Sequence, residues 1–163
     1  MKEQYWKMYF TMKYRSYYFN RYAIRTIFIC RLISGISLFI AVSGIASWII
    51  WDFFPVFWAI VIVVIQTLQA LSTWVFPYQN RESAFRFFIP QMEKLVDEIS
   101  AGYRDIIVNN YDEKRINKLI TIYSKRYGEL NRRYFTDILQ INDRISKKAE
   151  NDNMIYFKNH YGV

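Results

Sequence analysis

Gln66, Gln69 and Thr73 recur at spacings of three and four within an otherwise apolar stretch of the chain. On a helix these positions share one face, which Ile62 and Ala59 continue toward the N-terminal end. An amide turned toward lipid leaves its donor and acceptor groups unpaired, so both glutamines must face protein or water. Two chemistries follow. The amides hold helices together by hydrogen bonding, or, repeated around the axis of an oligomer, they line an ion path and replace part of a hydration shell. In the second reading Ile62, Gln66, Gln69 and Thr73 are the pore-lining candidates, with Ile62 as an apolar constriction. Both readings require oligomerisation, because a two-helix protomer has no interior in which to hide the amides.

A second pattern concerns helix association. Ser34, Ser37, Ala41, Gly44 and Trp48 alternate at spacings of three and four. Small residues in register let membrane helices approach closely, which makes Ser37, Ala41 and Gly44 the candidate packing positions.

The third constellation is cationic. Arg126, Arg132, Arg133 and Lys147, with Arg81, Arg86, Arg104, Lys125 and Lys148, are dense enough to bind phosphates, and Tyr123, Tyr127 and Tyr134 could stack bases. These are the candidate residues for a nucleotide or oligonucleotide signal. Against that reading, acidic residues nearly balance the same stretch, and the tyrosines also fit a core stripe.

Other chemistry is sparse. One cysteine, Cys30, and one histidine, His160, in 163 residues leave no disulfide framework, thiolate metal site or histidine-based nucleophile to assemble. There is no Gly-rich phosphate loop, nucleophile elbow or metal-ligand spacing. The acidic pair Glu93 and Asp97 sits beside Lys94 and reads as a solvated helix face. The expectation is a protein with no catalytic residues, no metal and no cofactor, and not an enzyme.

The elements that must position these residues are helices. Between Arg31 and Arg81, Asp52 is the only charged residue, so uncharged runs of 20 residues (32–51) and 28 residues (53–80) lie back to back. About 20 apolar residues cross a bilayer core of about 30 Å, so the reading is a transmembrane hairpin with spans of about 32–51 and 55–76. The turn at Asp52-Phe53-Phe54-Pro55 is too short for anything but antiparallel neighbours. Residues 1–31 carry seven basic residues against Glu3, residues 81–163 carry a net charge of +3, and the turn carries no Lys or Arg. The positive-inside rule then places both termini in the cytoplasm.

Residues 1–31 interleave their cations with ten aromatics. That suits an amphipathic helix lying in the lipid interface; nucleic-acid stacking and packing on neighbouring subunits use the same residue types. Residues 81–163 form a cytoplasmic helical domain. Phe85, Phe88 or Ile89, Met92, Leu95 or Val96, Ile99, Tyr103 and Ile106 predict a helix, with Pro90 allowing a kink near its start. A turn follows at 109–112, with Asp112 as N-cap, and then one long stripe runs from Ile116 to Ile145. The tail from Glu150 shows no periodicity. The predicted fold class is an all-α membrane protein with domains 1–31, 32–80 and 81–163, the last a helical hairpin or coiled coil, assembled as a homo-oligomer.

A basic, aromatic leader ending RYAIRTIFICRLISG, a tight two-span hairpin and a helical tail resemble the SLATT proteins, two-transmembrane effectors of nucleotide-signalling immunity in bacteria. The layout is also similar to the channel component of Hailong-like antiphage systems. The resemblance implies a tetrameric channel or pore in the bacterial inner membrane that disrupts the membrane potential. It also implies ions as the permeant species, and a partner nucleotidyltransferase whose nucleotide-derived signal controls the channel. It carries no functional residue across. The alternative from the residues alone is a membrane-anchored coiled-coil scaffold or adaptor without conduction.

Overall fold

The computed structural model describes residues 1–46, 56–57, 59–60, 63–64, 66–67, 78–135 and 142–162. Among these residues the regular structure is all helical: α1 (Lys2–Ala46), α2 (Tyr78–Asn109), α3 (Glu113–Tyr134) and α4 (Asp143–Tyr161). No helix among the described residues is long and apolar enough to cross a membrane. The turn around Asp52 and much of the second uncharged run lie outside the described residues.

The chain divides into two compact units, one of residues 1–23 with 83–163 and the other of residues 24–82. In the first, α1 supplies Tyr5, Tyr9, Met12, Phe19 and Ala23 to a common core. The buried residues of α2 in that core are Phe85, Phe88, Met92, Leu95, Val96, Ile99 and Ile106, the face its 3–4 periodicity predicts. Ile116 of α3 and Phe157 of α4 complete it. Each large side chain so buried stabilises the unit by about 1.5–3 kcal/mol relative to exposure. Pro90 lies within α2, which runs unbroken from Tyr78 to Asn109. The proline removes one backbone donor, and the buried contacts of Phe88 and Met92 on either side hold the helix through it.

Helix ends follow their local chemistry. Asn110 turns the chain with φ 46°, a left-handed conformation that asparagine tolerates. Asp112 then caps α3, its carboxylate accepting the Arg115 N–H at 3.3 Å. Asn142 caps α4 in the same way, accepting from Ile145 N–H at 3.2 Å. Gly162 ends α4 at φ 70°, where a side chain would be strained.

Three expectations need revision. The stripe from Ile116 to Ile145 is not one helix: α3 ends at Tyr134, and Ile145 belongs to α4, a separate helix with its own cap. The tail beyond Glu150 is helical. Its buried positions Ile145, Ala149, Asn153 and Phe157 repeat every four residues, but two of them are small or polar and give no hydropathy signal. The rings of residues 5–19 have an intramolecular role. Trp6 packs 5.0 Å from both Phe157 and Tyr161, Tyr9 5.1 Å from Phe157, and Phe19 4.7 Å from Phe88. Buried Tyr5, Tyr9 and Phe19 are closed to headgroups and bases alike.

In the second unit α1 continues to Ala46, and the described residues between 56 and 67 are helical. Among its described residues, Ile24, Phe28, Leu32, Ile36, Leu38, Val56, Phe57, Ile60, Val63 and Val64 are exposed, Val56 at 72%.

Candidate functional site

The cationic residues singled out in the sequence do not form one cluster. Arg126 and Arg133, about two turns apart on the same side of α3, meet α2 across a cleft of about 330 Å³. Gln91, Lys94 and Leu95 form the α2 wall, and Glu129 and Leu130 complete the α3 wall. Arg132 folds back along its own helix, its Nε donating to the Gly128 carbonyl at 3.3 Å. Lys147 is exposed on α4 and takes no part in the cleft.

Arg126 is already engaged. Its guanidinium pairs with the Glu98 carboxylate, and the second contact, Nη2 to Oε1, measures 3.4 Å. That hydrogen bond raises the Arg126 pKa above its ordinary value and keeps the group charged. An incoming anion must therefore displace Glu98 or accept the remaining donors of Lys94 and Arg133. With Glu98 and Glu129 at hand, three cations face two carboxylates, and the cleft is only weakly positive. Glu98 and Lys94 were missed at the sequence level because the pairing is across helices, 28 residues apart in the chain for Arg126 and Glu98.

The tyrosines offered for base stacking are otherwise occupied. Tyr123 lies edge-on to Tyr5, with ring centroids 6.4 Å apart, and Tyr127 carries the Arg15 guanidinium 4.7 Å above its ring. Tyr134 accepts a hydrogen bond from Gln91 Nε2 at 2.7 Å. This surface can hold a phosphate by charge, but it presents little free ring face.

Of the pore-lining candidates, Gln66 is helical and exposed, while Ile62, Gln69 and Thr73 lie outside the described residues. Thr67, beside Gln66, returns its hydroxyl to the Val63 carbonyl at 2.7 Å, which satisfies it within the helix. Ser37, Ala41 and Gly44 lie in α1, and their side chains are outside what is described. Among the described residues no group of three or more His, Cys, Asp or Glu side chains could hold a metal ion. No protein-family profile matches the chain, and no curated protein or solved structure matches it either.

Proposed function

We propose that the chain is a homo-oligomeric membrane channel in which residues 24–82 enter the bilayer and the remainder is a cytoplasmic unit. The observation that carries this reading is the outward display of ten large apolar side chains between Ile24 and Val64. A protein surrounded by water rarely sustains so extended an apolar surface, whereas lipid or a second copy would cover it. The same reading accounts for the two uncharged runs and the cation-free turn. It also fits the membership of the first unit, in which residues 1–23 and 83–163 pack together.

In this proposal Ile62, Gln66, Gln69 and Thr73 face the symmetry axis, and Ser37, Ala41 and Gly44 bring the protomers together. A nucleotide-derived signal from a partner nucleotidyltransferase acts on the basic unit, with Arg126 and Arg133 its first contacts. The biological role is that of an antiphage effector in the bacterial inner membrane, as the SLATT resemblance implies. The coiled-coil scaffold has less support, because α3 turns Ile116 into its own unit's core and half-buries Tyr123, Tyr127 and Leu130.

Ion flux through liposomes containing the purified chain tests the proposal, with Gln69→Glu as the diagnostic variant. An acidic ring in the path raises cation selectivity in single-channel recordings. Flux at zero throughout removes the channel; conduction with unchanged selectivity removes Gln69 from the path.

A further inference from the structure

The chain treats its half-buried arginines unequally. Arg21 pairs with Asp152 through two donors, and Arg126 with Glu98 through two donors. Arg15 has no carboxylate partner among the described residues. Its guanidinium carbon lies 4.7 Å from the centre of the Tyr127 ring, a contact that uses the charge of the group and none of its N–H donors. Arg15 lines a groove of about 410 Å³ between α1 and α3, inside the range of about 300–1,000 Å³ typical of small-ligand sites.

The polar groups around the groove are donors. Lys7 adds a second cation, tied only to Glu3 one turn away at 2.8 Å in a pair that is largely solvent-exposed. The hydroxyl of Ser124 lies 3.9 Å from the Met8 sulfur, and a thioether is a poor acceptor. Thr11 differs: its hydroxyl donates to the Lys7 carbonyl at 2.8 Å and is satisfied. Among the described residues no acidic side chain lines the groove, in contrast to the cleft at Arg126, which Glu129 lines. Two cations and the Ser124 hydroxyl line the groove; Glu3 answers Lys7, while Arg15 has only the Tyr127 ring against it among the described residues.

We propose that this groove between α1 and α3 binds a phosphate-class oxyanion, with Arg15 as the planar fork, Lys7 as the point charge and Ser124 as the hydroxyl donor. The ring of Tyr127 orients Arg15 and is covered by it, so the group recognised is the oxyanion and not a stacked base. Because its ligands come from two helices, an occupied groove fastens α1 to α3. The assignment is independent of whether the chain conducts ions.

The test is calorimetric titration of sodium pyrophosphate into the full chain, held in nanodiscs of zwitterionic lipid. The expected result is a saturable isotherm that weakens with added salt. Arg15→Gln weakens it at least tenfold, Arg15→Lys less because charge is kept, and Ser124→Ala about threefold. Lys118→Gln, on the same helix but outside the groove, leaves it unchanged. Ser124 is exposed, so its variant tests the site even if Arg15→Gln disturbs folding. A parallel titration in nanodiscs containing phosphatidic acid separates the sources. Loss of the pyrophosphate isotherm there identifies a lipid headgroup as the occupant, and its persistence identifies a free solute; either result supports the site. No saturable binding of pyrophosphate and no effect of phosphatidic acid, or binding that is indifferent to both Arg15→Gln and Ser124→Ala, overturns it.

Discussion

Arg21 of α1 holds Asp152 of α4 edge to edge: Nε meets Oδ2, and Nη2 meets Oδ1 at 2.7 Å. Nearby, Tyr14 shares a hydrogen bond with Ser146 at 2.7 Å, Tyr9 with Tyr156 at 3.1 Å, and Tyr18 accepts from the Asn142 N–H at 3.1 Å. The last helix is thus aligned on the first by directional polar contacts along its length. Phe157 supplies its largest apolar anchor.

The hydrogen bond from Arg21 holds the Asp152 carboxyl below its ordinary pKa. A depressed carboxylate stabilises the fold above the unfolded-state value, near pH 4, and the contribution is lost as pH falls through the folded value. Asp152→Asn is expected to lower stability by about 1 kcal/mol at neutral pH, the pair being partly solvated. Thermal melts of both proteins should converge at acid pH, once the folded-state Asp152 carboxyl is protonated; a gap that persists there assigns the loss to packing.

Gly102 is a packing position. A Cβ built there meets the Tyr5 hydroxyl at 2.5 Å, where Tyr5 donates to the Ile99 carbonyl at 2.9 Å. Gly102→Ala must push that ring aside and is expected to cost about 1–3 kcal/mol. Adding Tyr5→Phe removes the clashing oxygen and should recover part of the loss, measured by denaturant unfolding of the single and double variants.

Alkaline pH should unfold the first unit. Burial is the leading cause that raises the pKa of Tyr5, Tyr9, Tyr17, Tyr103 and Tyr123 above the ordinary phenol value. A raised folded pKa gives stability that is whole below the unfolded value, near pH 10, and is lost above it. Lys13 opposes this: desolvation lowers its pKa, so its charge penalty is relieved as pH rises toward its unfolded value. Five phenols outweigh one amine. The expected outcome is a steep fall in melting temperature above pH 10, shallower in Tyr9→Phe.

Asn153 is fully buried, donates from Nδ2 to the Phe10 carbonyl at 3.3 Å and leaves Oδ1 without a partner among the described residues. Asn153→Asp replaces that donor with a charge facing a carbonyl and is expected to cost about 3 kcal/mol at neutral pH. Protonation restores a donor, so the melting temperature of this variant, unlike that of the native chain, should rise as pH is lowered from 7 to 5.

Helices with large apolar residues on one face were legible. The buried face of α2 and the Asp112 cap followed from spacing and from residue type. The α3–α4 break was not legible, because Ile138 and Ile141 carry the hydrophobic rhythm across it while Asn142 supplies only a weak cap signal. α4 was hidden because Ala149 and Asn153 occupy its core face. The candidate sites were partly legible. The arginines of α3 stood out by density, yet their division between a paired cleft and a solvated flank depends on Glu98 and Gln91 from another helix. Arg15 was indistinguishable in the sequence from its basic neighbours, since what sets it apart is a missing carboxylate.

The pairing of the first residues with the last has a consequence for biosynthesis. Tyr9 and its partner Tyr156 are 147 positions apart. At about 5–20 residues per second, the ribosome adds Tyr156 roughly 7–30 s after Tyr9. Throughout that interval Trp6, Tyr9 and Phe10 lack the cover of Phe157, and the unit cannot close by folding outward from its N-terminal end. The nascent chain must therefore carry an exposed aromatic strip past the ribosome exit while residues 24–82 are made. A translation arrest before Asp143 would leave that strip open and make it a target for holdase chaperones or proteolysis.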